Sequence, residues 1–323
     1  MRWANIETAI NVIMSGKDDT TEEGAAAALP CCASCGKAEV DDVKLKQCDD
    51  CDLVRYCSDE CQQDHWPEHK ANCKERAAEL QDELLFKQPE STHMGDCPIC
   101  CLPIPTDTRK TSLYPCCIEI ICMGCTHSCF SRQKREDMKP TCPFCRHPLS
   151  ETEEEVDKNL MKRVAANDPV ALCVLGKRVG YNGDHDGAIK YFTKSAELGD
   201  ADANYQLSLL YSEGQHVEKD EKKKIFHLEE AAIAGHPMAR HNLGCSEERN
   251  GKIDRAVKHW IIAANLGCDD SVQALKGCYK EGVVSKEDFA AALRAHYAAV
   301  DETKSPDREA AARADEAGMV KWT

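Results

Sequence analysis

The C-terminal half of the chain repeats its pattern of apolar and polar positions. Leu175, Leu207, Leu243 and Leu275 fall at spacings of 32, 36 and 32 residues, and Ala171, Ala203, Ala239 and Ser271 precede them by four. Residues four apart share one face of a helix, and the small ones let a second helix come close. The matching endings KSAEL, EEAAIA and IAANL are followed by Gly199, Gly235 and Gly267, which suit the left-handed turn that closes a helix. Each unit therefore reads as two helices, and four units as about eight.

The N-terminal half shows weaker periodicity. Residues 1–30 offer one short helix around Ile6 to Met14, then an acidic run from Asp18 to Glu23 and Ala25 to Ala28, a poorly ordered lead-in. From Pro67 to Lys87 the pattern is helical, with Leu80, Leu84 and Phe86 set among charges, until Pro89 stops it. Ser150 with Glu153 forms a capping-box pair opening another charged helix that ends near Pro169. The expected organisation is a lead-in (1–30), a first cysteine module (31–73), a helix and linker (74–95), a second cysteine module (96–148), a connecting helix (149–166), helical repeats (167–300) and a C-terminal tail (301–323). The fold class expected is thus small zinc-stabilised α+β modules joined to an all-α solenoid of helical hairpins.

Composition explains the difference between the halves. Of 22 cysteines, 18 precede residue 146, leaving Cys173, Cys245, Cys268 and Cys278 behind. Such density means either disulfides or metal, and the compartment decides. The segment Met1 to Gly16 mixes Asn5, Glu7 and Asn11 into its apolar residues and lacks the core of a secretory signal. No stretch approaches the roughly 18 apolar residues of a membrane span. The expectation is a cytoplasmic or nuclear protein with reduced thiols that bind zinc. The formal charge of −15 is spread over both halves, and thiolates around divalent zinc make it more negative still. That balance argues against nucleic acid as a partner.

The first module reads Cys32-x2-Cys35-x12-Cys48-x2-Cys51-x5-Cys57-x3-Cys61-x7-His69-x3-Cys73. Four close pairs satisfy two tetrahedral ions. With the stretch YCSDECQQDHWPEHKANC, Tyr56 to Cys73, it resembles the MYND-type zinc finger along its whole length. The resemblance implies that Cys32, Cys35, Cys57 and Cys61 hold one zinc and Cys48, Cys51, His69 and Cys73 the other. His65 competes with His69, but only His69 has the family's gap to Cys73. The family also binds proline-containing peptides. Trp66 reads more as core than as contact surface, and Cys31 as a spare.

The second module opens with Cys97-x2-Cys100, closes with Cys142-x2-Cys145, and holds Cys116, Cys117, Cys122 and Cys125 between. The strings CPIC and CPFCR resemble a RING finger of the all-cysteine kind. That resemblance implies two more zincs, making four: one on Cys97, Cys100, Cys122 and Cys125, the other on Cys116, Cys117, Cys142 and Cys145. Adjacent ligands at Cys116 and Cys117 are geometrically tight, which leaves Cys101, Cys129 and His127 as alternatives. Each tetrad is closed by protein ligands, with no open position for a catalytic water.

The repeats resemble the Sel-one-like family, relatives of the tetratricopeptide repeats, through Leu175-Gly176 and Leu243-Gly244 and through Tyr211 and Tyr279. Val179 and Glu247 replace the tyrosine in the other two units. Solenoids of this kind present extended binding surfaces. A ubiquitin-type RING docks a conjugating enzyme and holds its thioester-linked ubiquitin in a reactive pose. By that resemblance Ile99 and Pro143 sit at the docking groove, and Arg146, directly after the last ligand, would bridge enzyme and ubiquitin. There is no catalytic residue in the ordinary sense, only these orienting candidates. The leading expectation is a ubiquitin ligase whose finger and repeats recruit substrate or partner proteins. The alternative is a non-catalytic, zinc-dependent adaptor, favoured by the Cys116-Cys117 centre and by the lack of a tryptophan before Cys142.

Overall fold

The computed structural model describes residues 30–40, 43–150, 152–214 and 216–317, so the predicted helix around Ile6 to Met14 lies outside the described residues. The chain divides into two compact units, residues 1–80 and 81–323.

The first unit is organised by its cysteines. Strands β1 (Lys46–Gln47) and β2 (Arg55–Tyr56) form a short antiparallel hairpin with Lys46 opposite Tyr56. Helix α1 (Asp59–Leu85) follows, with Asp59 and Glu60 complementing the positive end of its dipole. It starts earlier than the pattern predicts and runs through Pro67, because Cys61, His69 and Cys73 fix its first turns from the side. The core is Cys32, Cys48, Cys51, Tyr56 and Cys73, with Trp66 packed against it. A module this small has little other apolar material to bury.

In the second unit, strands β3 (Thr111–Tyr114) and β4 (Glu119–Cys122) pair antiparallel and lead into α2 (Met123–Arg135). Ile104, Tyr114 and Ile121 form the core together with the cysteines, and the Tyr114 hydroxyl donates to Thr126 Oγ1 at 3.2 Å. Helix α3 (Glu153–Ala165) begins at Thr152, whose side chain accepts from Glu155 N. The expected Ser150 cap is therefore displaced by two residues, and Ser150 Oγ instead accepts from Asn159 Nδ2 at 3.4 Å.

Eight helices of the repeats then pack as consecutive antiparallel pairs. They are α4 (Pro169–Tyr181), α5 (His185–Glu197), α6 (Ala201–Glu213), α7 (Glu221–Ile233), α8 (Pro237–Arg249), α9 (Ile253–Asn265), α10 (Asp269–Lys280) and α11 (Lys286–Glu302). Asp168, Asp184, Asp200 and Asp220 cap four of the N-termini with side-chain acceptors, which satisfies otherwise orphan backbone N–H groups. The Leu-Gly pairs have a packing reason. A β-carbon on Gly176 would sit 2.7 Å from the Phe192 ring, and one on Gly244 would meet the Trp260 indole. In the second and fourth units, Tyr211 stacks on His227 and Tyr279 on Phe289. Where Glu247 replaces the tyrosine, it accepts from Arg255 Nε at 2.7 Å, so a polar contact takes the place of ring packing.

The C-terminal segment differs from the tail expected. Residues Pro306–Glu316 form helix α12, capped by Ser305 and packed against α2 of the second cysteine module. Ala311 and Ala314 are buried. Local sequence does not announce this docking because its partner lies about two hundred residues upstream.

Candidate metal centres

Four ligand sets emerge from these elements. The structure gathers Cys32, Cys35, Cys57 and Cys61; Cys48, Cys51, His69 and Cys73; Cys97, Cys100, Cys122 and Cys125; and Cys116, Cys117, Cys142 and Cys145. Within each set the candidate ligand atoms lie within 4.8 Å of one another. A tetrahedral zinc with bonds of about 2.3 Å to sulfur holds its sulfurs roughly 3.8 Å apart. The Sγ to Sγ distances are 3.8 Å for Cys48 and Cys73, 3.8 Å for Cys100 and Cys122, and 3.8 Å for Cys117 and Cys142. His69 presents Nε2 to Cys51 Sγ at 3.2 Å. Neighbouring thiols oppose one another's ionisation: against its burial, Cys32 is pulled down to about 6 by backbone N–H groups, while Cys57 of the same set is pushed up to about 12 by its sulfur neighbours Cys35 and Cys61, and Cys73 to about 12 by burial and by Cys51 and Cys48. A divalent ion removes that penalty, and its binding releases protons. The donor sets fit zinc, and the MYND finger binds it.

Both modules use one local device. Of the five Cys-x2-Cys pairs, Cys122-x2-Cys125 opens helix α2, and the other four are each followed by a residue in the left-handed region: Gly36 (φ 72°), Asp52 (φ 56°), Cys101 (φ 55°) and Arg146 (φ 61°). There the backbone N–H folds back to the first cysteine's carbonyl, as in Arg146 N to Cys142 O at 3.0 Å and Cys101 N to Cys97 O at 2.8 Å. Only Gly36 signals this in the sequence, since glycine alone takes that conformation without strain.

The structure also places the alternatives. Cys116 and Cys117 both reach the second set of their module, Cys116 Sγ at 3.4 Å from Cys145 Sγ, because they occupy the β3–β4 turn, which Ile118 closes at φ 60°. Cys101 is exposed, Cys129 accepts from Gln133 Nε2 at 3.3 Å, and His127 faces Ser131. In the first module His65 Nδ1 pairs with the Tyr56 hydroxyl at 3.0 Å, outside the ligand set. Ile99 is 42% exposed, Pro143 is half-buried and Arg146 is exposed.

Two arginines outside the cysteine spacing complete the second module. Arg163 of α3 donates to Cys117 O at 3.2 Å and to Asp168 at 2.9 Å, beside the apolar contact of Ile118 with Leu160 and Ala171. Arg308 of α12 donates to Pro103 O at 2.7 Å, Leu102 O at 3.2 Å and Cys100 Sγ at 3.4 Å. It lies on Gly124, where a β-carbon would come 2.7 Å from the Arg308 backbone. A guanidinium against a ligand sulfur offsets part of the negative charge of a zinc tetrathiolate.

A fifth cluster, His93, Asp202 and His236, is a hydrogen-bonded network of another kind. His236 Nδ1 accepts from Ala239 N, so its proton resides on Nε2 and faces Asp202 at 3.4 Å. Lys177 holds the same carboxylate at 3.2 Å. The His236 lone pair and the Asp202 carboxylate are thus already engaged by groups of the protein itself.

Comparison with known proteins bears on the two outer regions. Residues 32–73 match the MYND finger family, and residues 170–200, 201–236 and 237–268 match the Sel1 repeat. The SET domain and MYND-type zinc finger protein 6 of Schizosaccharomyces pombe is 36% identical over 52 residues, 16% of this chain and 11% of that protein. The likeness thus spans about a tenth of the relative's length. A Sel1 repeat protein from Oxalobacter formigenes is 28% identical over 39% of this chain and 99% of its own, with a TM-score of 0.35. A protective antigen of uropathogenic Escherichia coli with an SLR fold is 29% identical over 46% of this chain and 33% of its own, with a TM-score of 0.38. The chain therefore carries a MYND finger and a Sel1 repeat solenoid, both of them protein-interaction modules. Among the described residues no helix is long and apolar enough to cross a membrane.

Proposed function

We propose that this protein is a zinc-dependent scaffold that binds other proteins through its MYND finger and its helical repeats. The observation that carries this reading is the set of four closed tetrads, which leave no coordination position for a reacting water, beside modules whose families exist for protein contact. Zinc here holds shape, and proline-containing peptides are the ligand chemistry proposed for the finger. The test is peptide binding to the full chain with zinc and after chelation. Binding that survives complete zinc removal defeats the finger's part in the scaffold.

A second reading concerns residues 96–148. Their cross-braced ligand order, the exposure of Ile99 and of Phe144 at 42% and 45%, and the free side chain of Arg146 favour a RING-type role, in which the module presents a ubiquitin-loaded conjugating enzyme to substrate. In that role Ile99→Ala weakens docking by roughly 1–3 kcal/mol. Arg146→Gly, which relieves the left-handed backbone while removing the guanidinium, leaves docking intact and slows ubiquitin discharge. A chain that transfers no ubiquitin with any member of a broad conjugating-enzyme panel is a scaffold alone.

A further inference from the structure

The repeat array already holds a peptide: residues 81–93 of its own chain lie across α7, α8 and α9. Leu85, the last residue of α1, is 1% exposed among Leu228, Ala231, Ala232, Ala239 and Leu243. Its carbonyl, one of the orphan acceptors at a helix end, is bonded by Arg240, a guanidinium with 0% exposure that also donates to Ala232 O at 2.8 Å. Phe86 packs against His259, ring centroids 4.7 Å apart and tilted by 38°, with Arg255 over its face at 4.8 Å, and Arg255 pairs with Asp82. Gln88 accepts from Asn265 at 3.0 Å, and His93 N donates to Gly235 O at 3.1 Å. An acid, a leucine and an aromatic residue thus each occupy a matching position along one groove.

The fit is incomplete on the groove side. Nine buried side-chain atoms lack a hydrogen-bond partner among the described residues; four of them lie on the groove, namely Arg240 Nε, both ring nitrogens of His259 and Asn265 Oδ1, and a fifth, His93 Nδ1, lies on the segment itself. Among the described residues Arg240 has only carbonyl oxygens for company and no carboxylate, whereas Arg255 is matched by Asp82 of the segment and Glu247 of α8. A groove that buries the Arg240 guanidinium against carbonyl oxygens alone favours a ligand that brings an anion to it.

We propose that this groove is a peptide receptor filled in cis by residues 81–93, and that its trans ligand is an acidic peptide bearing a leucine-aromatic pair. The proposal rests on the scaffold reading and names the chemistry of one partner. A tethered segment acts at an effective concentration near the millimolar range, so an outside peptide of equal affinity stays excluded until the tether loosens.

The direct test uses the full zinc-loaded chain and a fluorescent peptide of residues 81–93. The variant Leu85→Ala/Phe86→Ala, checked for zinc content and helical signal, is expected to bind the peptide about tenfold more tightly than the wild type. Adding Arg240→Gln to that background is expected to abolish the gain. Equal binding to wild type and opened variant, or binding indifferent to Arg240→Gln, overturns the proposal. If the double variant fails to fold, native-state hydrogen exchange on the wild type decides. Amides of 85–93 that exchange by a local opening well before those of α7 to α9 support a displaceable segment. Exchange only on global unfolding makes it a permanent strut and overturns the proposal. A chain that fails here yet still binds proline-containing peptides in a zinc-dependent way loses this groove and keeps its scaffold function.

Discussion

The two cysteine modules bring the same ligand count and the same knuckle to very different amounts of chain. The first assembles eight ligands within residues 32–73, a stretch that matches one family from end to end. The second draws its ligands from residues 97–145 but leans on α3 through Arg163 and on α12 through Arg308, the latter 208 positions from the cysteine it touches. The MYND finger is a portable part. The second module is built into the structure of its neighbours.

The sharpest way to break this comparison is to remove the metal. Each structural site supplies roughly 10–16 kcal/mol of apparent binding free energy, so chelation should unfold both modules while the helical signal of α4 to α11 persists. Metal analysis should return four zincs per chain, and a stoichiometry near two would mean that one module holds no zinc. If the second module is truly joined to α12, the amides of Pro306–Glu316 become faster-exchanging in the stripped chain.

Acid tests the repeats by a separate route. Burial, reinforced by His236, pulls His93 down to about 4, against about 6.5 for the unfolded chain. Between those values the unfolded state binds the extra proton. The stabilisation is therefore complete above about pH 6.5 and lost as pH falls to 4, an effect of about 3 kcal/mol. Denaturant unfolding of the zinc-stripped chain at pH 7 and pH 4.5 measures it, and His93→Leu should remove part of that slope, the rest coming from groups such as His259, which burial pulls down to about 3.

Arg308→Ala should act on one zinc of the four. A hydrogen bond to a charged group is worth about 1.5–3 kcal/mol, and loss of such a support lowers metal affinity by roughly ten- to a hundredfold. Competition with a chromogenic chelator should show a single zinc released early, with the MYND sites unchanged. Equal loosening of all four would mean that the helix contributes general stability only. The smallest effect expected is at the α3 cap, where Thr152→Ala should cost about 1 kcal/mol and Ser150→Ala far less, read from thermal unfolding.

What was legible in the sequence follows distance along the chain. Ligand pairs two or three residues apart, helix-closing glycines and the Leu-Gly packing positions are local rules, and each can be read from a short window. The α3 cap slipped because two hydroxyl residues, Ser150 and Thr152, both precede a glutamate by three positions. The cis occupant of the groove, the Arg308 contact and the His93 network depend on residues more than a hundred positions apart, and no spacing within a window encodes them. The turn that lets Cys116 and Cys117 share a site depends on one backbone angle at Ile118, a branched residue that gives no hint of it.

Helix α12 also sets a schedule for synthesis. Cys100 leaves the ribosome about two hundred residues before Arg308, which at 5–20 residues per second is a delay of roughly 10–40 s. For that interval the second module has its sulfurs but not the cation that steadies them, and any message truncated before codon 308 never supplies it. Synthesis through residue 308 is therefore the point from which the second module can be fully held.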